Sequence, residues 1–170
     1  NSEEASLVKG VDLVPVSHIH EVVDVLKGKS TPVFPQSFFQ WEHQEWPDFS
    51  EVKGQVAGKR ALEIAAAGGH NVLFVGPPGS GKTMLMHRLP SILPKLSHEE
   101  AIDSFQLRSL ARRFDRLNLS MDRPFRSPHH TISYPALVGG GQSPLPGEIS
   151  MAHHGVLFLD ELAEYPRHLL

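Results

Sequence analysis

The run Gly76-Pro77-Pro78-Gly79-Ser80-Gly81-Lys82-Thr83 constrains this chain more than any other stretch, because it fits G-x-x-x-x-G-K-[ST] directly behind a short apolar run, Val72 to Val75. The pattern predicts a buried strand that breaks into a glycine turn and continues as a helix from about Gly81. Without Cβ atoms the turn can curl until successive N–H groups converge on phosphate oxygens, and the helix start adds its positive dipole end. Gly76, Pro77, Pro78, Gly79, Ser80 and Gly81 are read as that cradle, with Met84 beside it in the first helical turn. Lys82 is expected to reach the β- and γ-phosphates of a nucleotide and Thr83 to offer its hydroxyl to Mg²⁺.

A second apolar run, Val156-Leu157-Phe158-Leu159, ends in Asp160-Glu161. It predicts a buried parallel strand that delivers two carboxylates to its C-terminal edge, where ligands bind in open α/β sheets. Alternation along a strand points the two acids apart. Asp160 is expected to complete the Mg²⁺ shell through a water, and Glu161 to polarise an attacking water from near the metal. With the phosphate loop, the pair points to ATP as ligand, Mg²⁺ as cofactor, and hydrolysis carried by Lys82, Asp160 and Glu161.

A chain of 170 residues, 40% of them hydrophobic, suits one compact domain or one with an appendage. Its formal charge of −3 supplies no global field for nucleic acid, so such contact would need a local patch. Cysteine is absent, which excludes a disulfide framework and thiolate metal sites. No apolar run approaches the ~20 residues of a membrane span, and Asn1-Ser2-Glu3-Glu4 lacks a basic signal start, so no membrane partner and a cytoplasmic setting are expected.

In chain order, Leu7 to Val16 reads as extended, and Ser17 is expected to cap a short helix with Ile19, Val22, Val23 and Leu26 on one face. Residues 1–27 are too few to bury a core and are read as the tail of a preceding domain. Residues 28–47, with Thr31-Pro32, Phe34-Pro35 and Trp46-Pro47, are read as a linker pinned by aromatic packing in preference to a base-stacking platform. From residue 48 a new unit begins. A helix through Ala57, Ala61, Ile64 and Ala65 should end at Gly68-Gly69, and Pro90 and Pro94 should end or kink the helix after the phosphate loop. Ser97-His98-Glu99-Glu100 is a capping box opening a helix with a Leu107, Leu110, Phe114 and Leu117 stripe. Arg108, Arg112 and Arg116 on it are read as a solvated face in preference to a phosphate-backbone contact. Pro124 to Thr131 should form a short edge strand, Leu137 to Gly147 a mobile loop of little core value, and Glu148 to Ala152 a helix. Adjacent histidines on a strand face opposite sides, so His129-His130 and His153-His154 are expected to line the site rather than chelate a metal.

The chain resembles the magnesium-chelatase-like AAA+ ATPases of the ComM/YifB branch. The resemblance rests on Asp48-Phe49 with Gly54-Gln55, on Lys59 to Asn71, on the phosphate loop, on Arg123 to Ser133, on Leu137 to Gly141, on Pro146 to Ser150 and on Gly155 to Glu161. It implies an α/β fold of the P-loop NTPase (AAA+) type, a three-layer parallel sheet with helices on both faces, over residues 48–170, preceded by the tail of a Lon-protease-like domain. It further implies an ATP-driven motor on DNA, associated with branch migration in competence, assembled with itself as a ring, six-membered when full-length. Val52, Gly54 and Gln55 would flank the adenine, and Gly139 to Gly141 would face the pore. It also places a sensor strand, an arginine finger and a helical lid beyond Leu170. That sensor strand would lie between the ones carrying the phosphate loop and Asp160, so a sheet incomplete at the C-terminus, with unpaired strand edges, is expected. A metal-chelatase motor and a non-catalytic nucleotide-binding module are the alternative readings.

Overall fold

The computed structural model describes residues 5, 10–29, 41, 42, 45–111, 119–142 and 144–169. The chain divides into two compact units, one of residues 1–40 and 115–118, the other of residues 41–114 and 119–170. In the first unit one helix, α1 (Ile19–Leu26), is described. Its cap is His18 rather than the expected Ser17, because the Glu21 carboxylate reaches back to accept from the N–H groups of both Ser17 (2.7 Å) and His18 (3.4 Å). None of its residues is buried, and Ile19 and Leu26 are well exposed.

In the second unit β1 (Trp41–Glu42) pairs parallel with β2 (Leu119–Ser120). A 3-10 turn, Phe49–Glu51, is capped by Asp48, whose carboxylate accepts from Ser50 N–H at 2.6 Å. Helix α2 (Val56–Gly68) follows and stops at Gly69 in the left-handed conformation, where glycine has no Cβ penalty. Its buried face is Leu62, Ala65 and Ala66, and Ile64 is half exposed. Helix α3 (Lys82–Met86) leaves the phosphate loop and passes into a 3-10 turn, Leu89–Ile92, with Pro90 in its first positions. Val52, Leu62, Ala66, Leu85, Met86, Leu89 and Phe158 form one buried cluster beneath the loop.

Helix α4 (His98–Leu110) opens with the reciprocal capping box, Glu100 N–H to Ser97 Oγ at 3.2 Å and Ser97 N–H to Glu100 Oε2 at 2.8 Å. It buries Ala101, Ser104 and Phe105, whereas Leu110 of the expected stripe is exposed; Phe114, Leu117, Arg112 and Arg116 lie outside the described residues. Of the aromatic residues in the expected linker, Trp46 packs edge-on against Phe125 with ring centroids 5.9 Å apart.

Strand β3 (Phe125–Arg126) pairs parallel with β6 (Val156–Leu157), in register Phe125 to Val156 and Arg126 to Leu157. Between them run α5 (Tyr134–Val138), the antiparallel pair β4 (Gly139–Gly140) and β5 (Leu145–Pro146), and α6 (Glu148–Met151). This connection corrects the expected loop of little core value. Leu137 is 2% exposed, among the most deeply buried side chains, and the glycines let β4 and β5 approach so closely that a Cβ at Gly147 would strike the backbone of Leu137 and Gly139.

The described residues are therefore mixed α/β and hold three separate two-stranded pairs, a sheet broken as the expected incomplete sheet with unpaired edges would be. The unpaired edge falls at Val72 to Val75, next to the place where the resemblance puts a sensor strand, and what departs from expectation is the burial of that run. That segment has no ladder partner among the described residues, and Leu73 and Val75 are 72% and 88% exposed instead of buried. Opposite it, β6 and the residues after it form the far wall of a cavity of about 330 Å³ that Val72, Leu73 and Phe74 line on the near side. The physical reason is spacing: strands pair only when adjacent, ~4.8 Å apart, and here an open interval separates the two edges.

Candidate functional site

The phosphate loop is held in shape by local chemistry. Gly79 and Gly81 have φ of +72° and +86°, which other residues rarely adopt, and Ser80 N–H closes the turn on Pro77 C=O at 3.4 Å. Lys82 folds back over this turn. Its ammonium donates to the carbonyls of Gly76 and Pro77, each at 2.9 Å, and lies 3.4 Å from Ser80 Oγ. A cation held by backbone oxygens at the mouth of a loop is ready to exchange them for phosphate oxygens, which bind it with charge assistance.

Long-range contact joins the loop to the acid pair. Thr83 Oγ1 donates to Asp160 Oδ2 at 2.8 Å across 77 positions of sequence. Both groups are hard oxygen donors, the kind a divalent Mg²⁺ takes, so hydroxyl and carboxylate fit that ion. The strand that carries Asp160 is placed by Gly155, where a Cβ would strike the Pro124 carbonyl that accepts from Val156 N–H at 2.8 Å. Ladder bonding continues one step further, with Phe158 N–H to Arg126 C=O at 2.8 Å, before the chain leaves the strand.

Asp160 and Glu161 do point apart, through a backbone turn and not through strand alternation. Glu161 sits in the left-handed region at φ +52°, a costly conformation for a residue with a Cβ, and its N–H donates to Asp160 Oδ1 at 3.0 Å. Its carboxylate faces His130, with Nδ1 3.6 Å from Oε2. The His130 contact was not legible in sequence, since nothing in the spacing of 31 residues marks it. Below, Tyr165 donates to Pro128 C=O at 2.6 Å, and burial, aided by the Asp160 carboxylate, raises its phenol pKa above the ordinary value.

The residues expected at the adenine divide. Gln55, itself at φ +52°, donates from Nε2 to Ser80 C=O at 2.8 Å and so touches the phosphate loop directly. Gly54, at φ +70°, is the exposed turn before it. Val52 is 2% exposed and its side chain is part of the core cluster, so only its backbone is offered to the site; its carbonyl accepts from Lys59 Nζ. Met84 is 40% exposed on the first turn of α3, beside Gly81.

Two arginines brace the acid wall. Arg126 makes a two-point pair with Glu148, Nε to Oε2 at 2.5 Å and Nη2 to Oε1 at 2.8 Å. Arg123 donates to the carbonyls of Pro94 (2.8 Å) and His154 (2.7 Å) and pairs with Glu100 at 3.2 Å. Arg108 is half-buried, and its pKa is lowered by that burial and then by Arg126. No helix among the described residues is long and apolar enough to cross a membrane.

The family model described as magnesium chelatase, subunit ChlI, matches residues 48–170. The chain is 48% identical over its whole length to the uncharacterized protein YifB of Escherichia coli (strain K12), and 45% identical to the competence protein ComM of Haemophilus influenzae, in each case spanning 34% of the relative. It is also 32% identical over 126 residues to Lon protease 2 of Bacillus subtilis, a match covering 68% of this chain and 22% of that protein. The chain thus spans about a third of the length of the curated relatives it matches. With a phosphate loop joined to a downstream acid pair and a family match over residues 48–170, the chain belongs to the magnesium chelatase ChlI family.

Proposed function

We propose that this chain is the nucleotide-binding part of an AAA+ motor that hydrolyses ATP to remodel DNA, working as a ring of its own copies in the cytoplasm. The observation that carries the reading is the Thr83–Asp160 hydrogen bond at 2.8 Å, which brings phosphate loop and acid pair into one site. Lys82 exchanges its hold on the Gly76 and Pro77 carbonyls for the β- and γ-phosphate oxygens. Thr83 and Asp160 are the residues that would hold Mg²⁺, and the ion would neutralise charge on the phosphate oxygens. Glu161 turns from His130 toward the attacking water and accepts its proton. Gln55 links the base end of the pocket to Ser80 of the loop. The word competence in the name of the ComM relative supports DNA as the substrate of the motor.

In the full-length protein Glu161→Gln is expected to keep ATP affinity within about twofold and to lose roughly 100-fold or more in turnover, a loss of ~2.7 kcal/mol of transition-state stabilisation. Hydrolysis at the unaltered rate would remove Glu161 from its role. The family description favours one second reading, a motor that drives metal insertion by a partner protein. ATPase activity that rises with DNA supports the first; activity indifferent to DNA supports the second.

A further inference from the structure

His153 and His154 close helix α6 and turn the chain into β6. His154 adopts φ +58°, a left-handed conformation that is strained for a residue with a Cβ. The turn folds the two rings together, with centroids 3.9 Å apart and planes inclined by 50°, instead of sending them to opposite faces as a strand would. Both rings meet Asp103 on α4. One ligand atom from each of Asp103, His153 and His154 lies within 4.8 Å of the others, and His154 Nε2 is 3.2 Å from Asp103 Oδ2.

The second nitrogen of His154 is also engaged: Nδ1 lies 3.7 Å from Glu100 Oε1. Glu100 is held in turn by the Ser97 N–H and by Arg123. A carboxylate behind one imidazole nitrogen, with the other nitrogen facing more donors, is the arrangement that orients a metal-bound histidine.

We propose that Asp103, His153 and His154 form a binding site for a zinc-class transition-metal ion, with Glu100 orienting His154. Bonds of about 2.0–2.1 Å in a tetrahedron put ligand atoms ~3.3 Å apart, so Asp103 and His154 already stand at the right separation. His153 is exposed and closes the remaining distance by side-chain rotation. Two imidazoles and one carboxylate suit Zn²⁺, Ni²⁺ or Cu²⁺, whereas Mg²⁺ takes oxygen donors, so this site is chemically separate from Thr83 and Asp160. Three protein ligands leave a fourth position for water. An ion held there ties α4 to the turn that feeds β6 and, through it, Asp160.

The test uses the untagged full-length protein, titrated with Zn²⁺ against a chromophoric chelator and with Co²⁺ for its visible absorption. One equivalent per chain is expected, at micromolar affinity, with the intense Co²⁺ band of a low-coordinate site. His153→Ala and Asp103→Asn should each weaken it tenfold or more, and His154→Asn, whose replacement tolerates the left-handed turn, should abolish it; Glu100→Gln should weaken it while leaving all three ligands in place. Unaltered ATP binding and unaltered metal-free melting certify that each variant is folded. The proposal is overturned if the His153→Ala/His154→Asn double variant binds Zn²⁺ as tightly as the parent. It is equally overturned if the equivalent disappears with His18 and His20 or with His129 and His130 instead.

Discussion

The two walls of the candidate site are secured in opposite ways. The phosphate-loop wall, residues 72–83, is held by short-range devices: positive-φ glycines, a tight turn at Ser80 and a lysine folded onto its own loop. Its strand segment has no ladder partner among the described residues, and Val75 is almost fully exposed. The acid wall, residues 123–161, is held by distant partners: the β3–β6 ladder, the Arg126–Glu148 pair, the three-way grip of Arg123, and Phe125 stacked on Phe158 at 6.1 Å. Under the proposed function, a loop that admits and releases a nucleotide would need only local definition, whereas carboxylates meeting it from the other side would need a rigid base.

The comparison breaks most readily at Lys82. In the full-length protein Lys82→Ala is expected to weaken ATP binding about 100-fold or more, since charge-assisted contacts to phosphate have no substitute there. Its melting temperature should stay within a degree or two, because Lys82 braces only its own loop. Isothermal titration and a thermal melt on the same sample read both; a large fall in stability would show the loop wall to be structurally coupled after all. Arg126→Met should do the reverse. Loss of a two-point pair to Glu148, which is mostly shielded from water, is expected to cost ~2 kcal/mol in denaturant unfolding with ATP affinity changed less than threefold.

The same contrast decides what could be read from sequence. Local devices were legible: the phosphate loop, the capping box at Ser97 and Glu100, and the stop at Gly68-Gly69 are patterns whose physics lies within a few residues. Mixed α/β content followed from the same signals. The apolar runs Val72 to Val75 and Val156 to Leu159 were read as buried strands on composition alone. Whether such a run is buried depends on a neighbour, and the first of them has none among the described residues. Leu137 failed in the other direction, since the glycines around it signalled a loop and hid a close-packed hairpin. The histidine pairs do not follow strand alternation, because turns at His130-Thr131 and at His153-His154 bring the rings of each pair together.

Gln55 tests how far the loop wall depends on a contact from the residues before it, the Thr83–Asp160 bond being its link to the acid wall. Its side chain gives a single neutral hydrogen bond to Ser80 C=O at 2.8 Å, worth ~1 kcal/mol. Gln55→Ala is expected to weaken ATP about fivefold by titration and, because Gln55 stands at φ +52°, Gln55→Gly should restore stability but not affinity. Equal affinity in parent and Gln55→Ala would leave the loop wholly self-defined.

The smallest effect is expected at Asp48, and its sign follows from one hydrogen bond. Ser50 N–H, and then the Ser50 hydroxyl, lower the Asp48 pKa below its ordinary value of 3.8. A carboxylate whose folded pKa is depressed stabilises the protein above the unfolded pKa and loses that contribution as pH falls through the folded one. The turn it caps, Phe49–Glu51, leads into Val52 at the base of the core, far from the Arg126 brace in sequence. Asp48→Asn keeps an oxygen acceptor but removes the charge. Its melting temperature should therefore sit slightly below the parent at pH 7, with the gap closing below about pH 3.8, where the parent also begins to protonate. A gap that persists undiminished at low pH would mean that shape at Asp48, and not charge, secures the entry to the phosphate-loop wall.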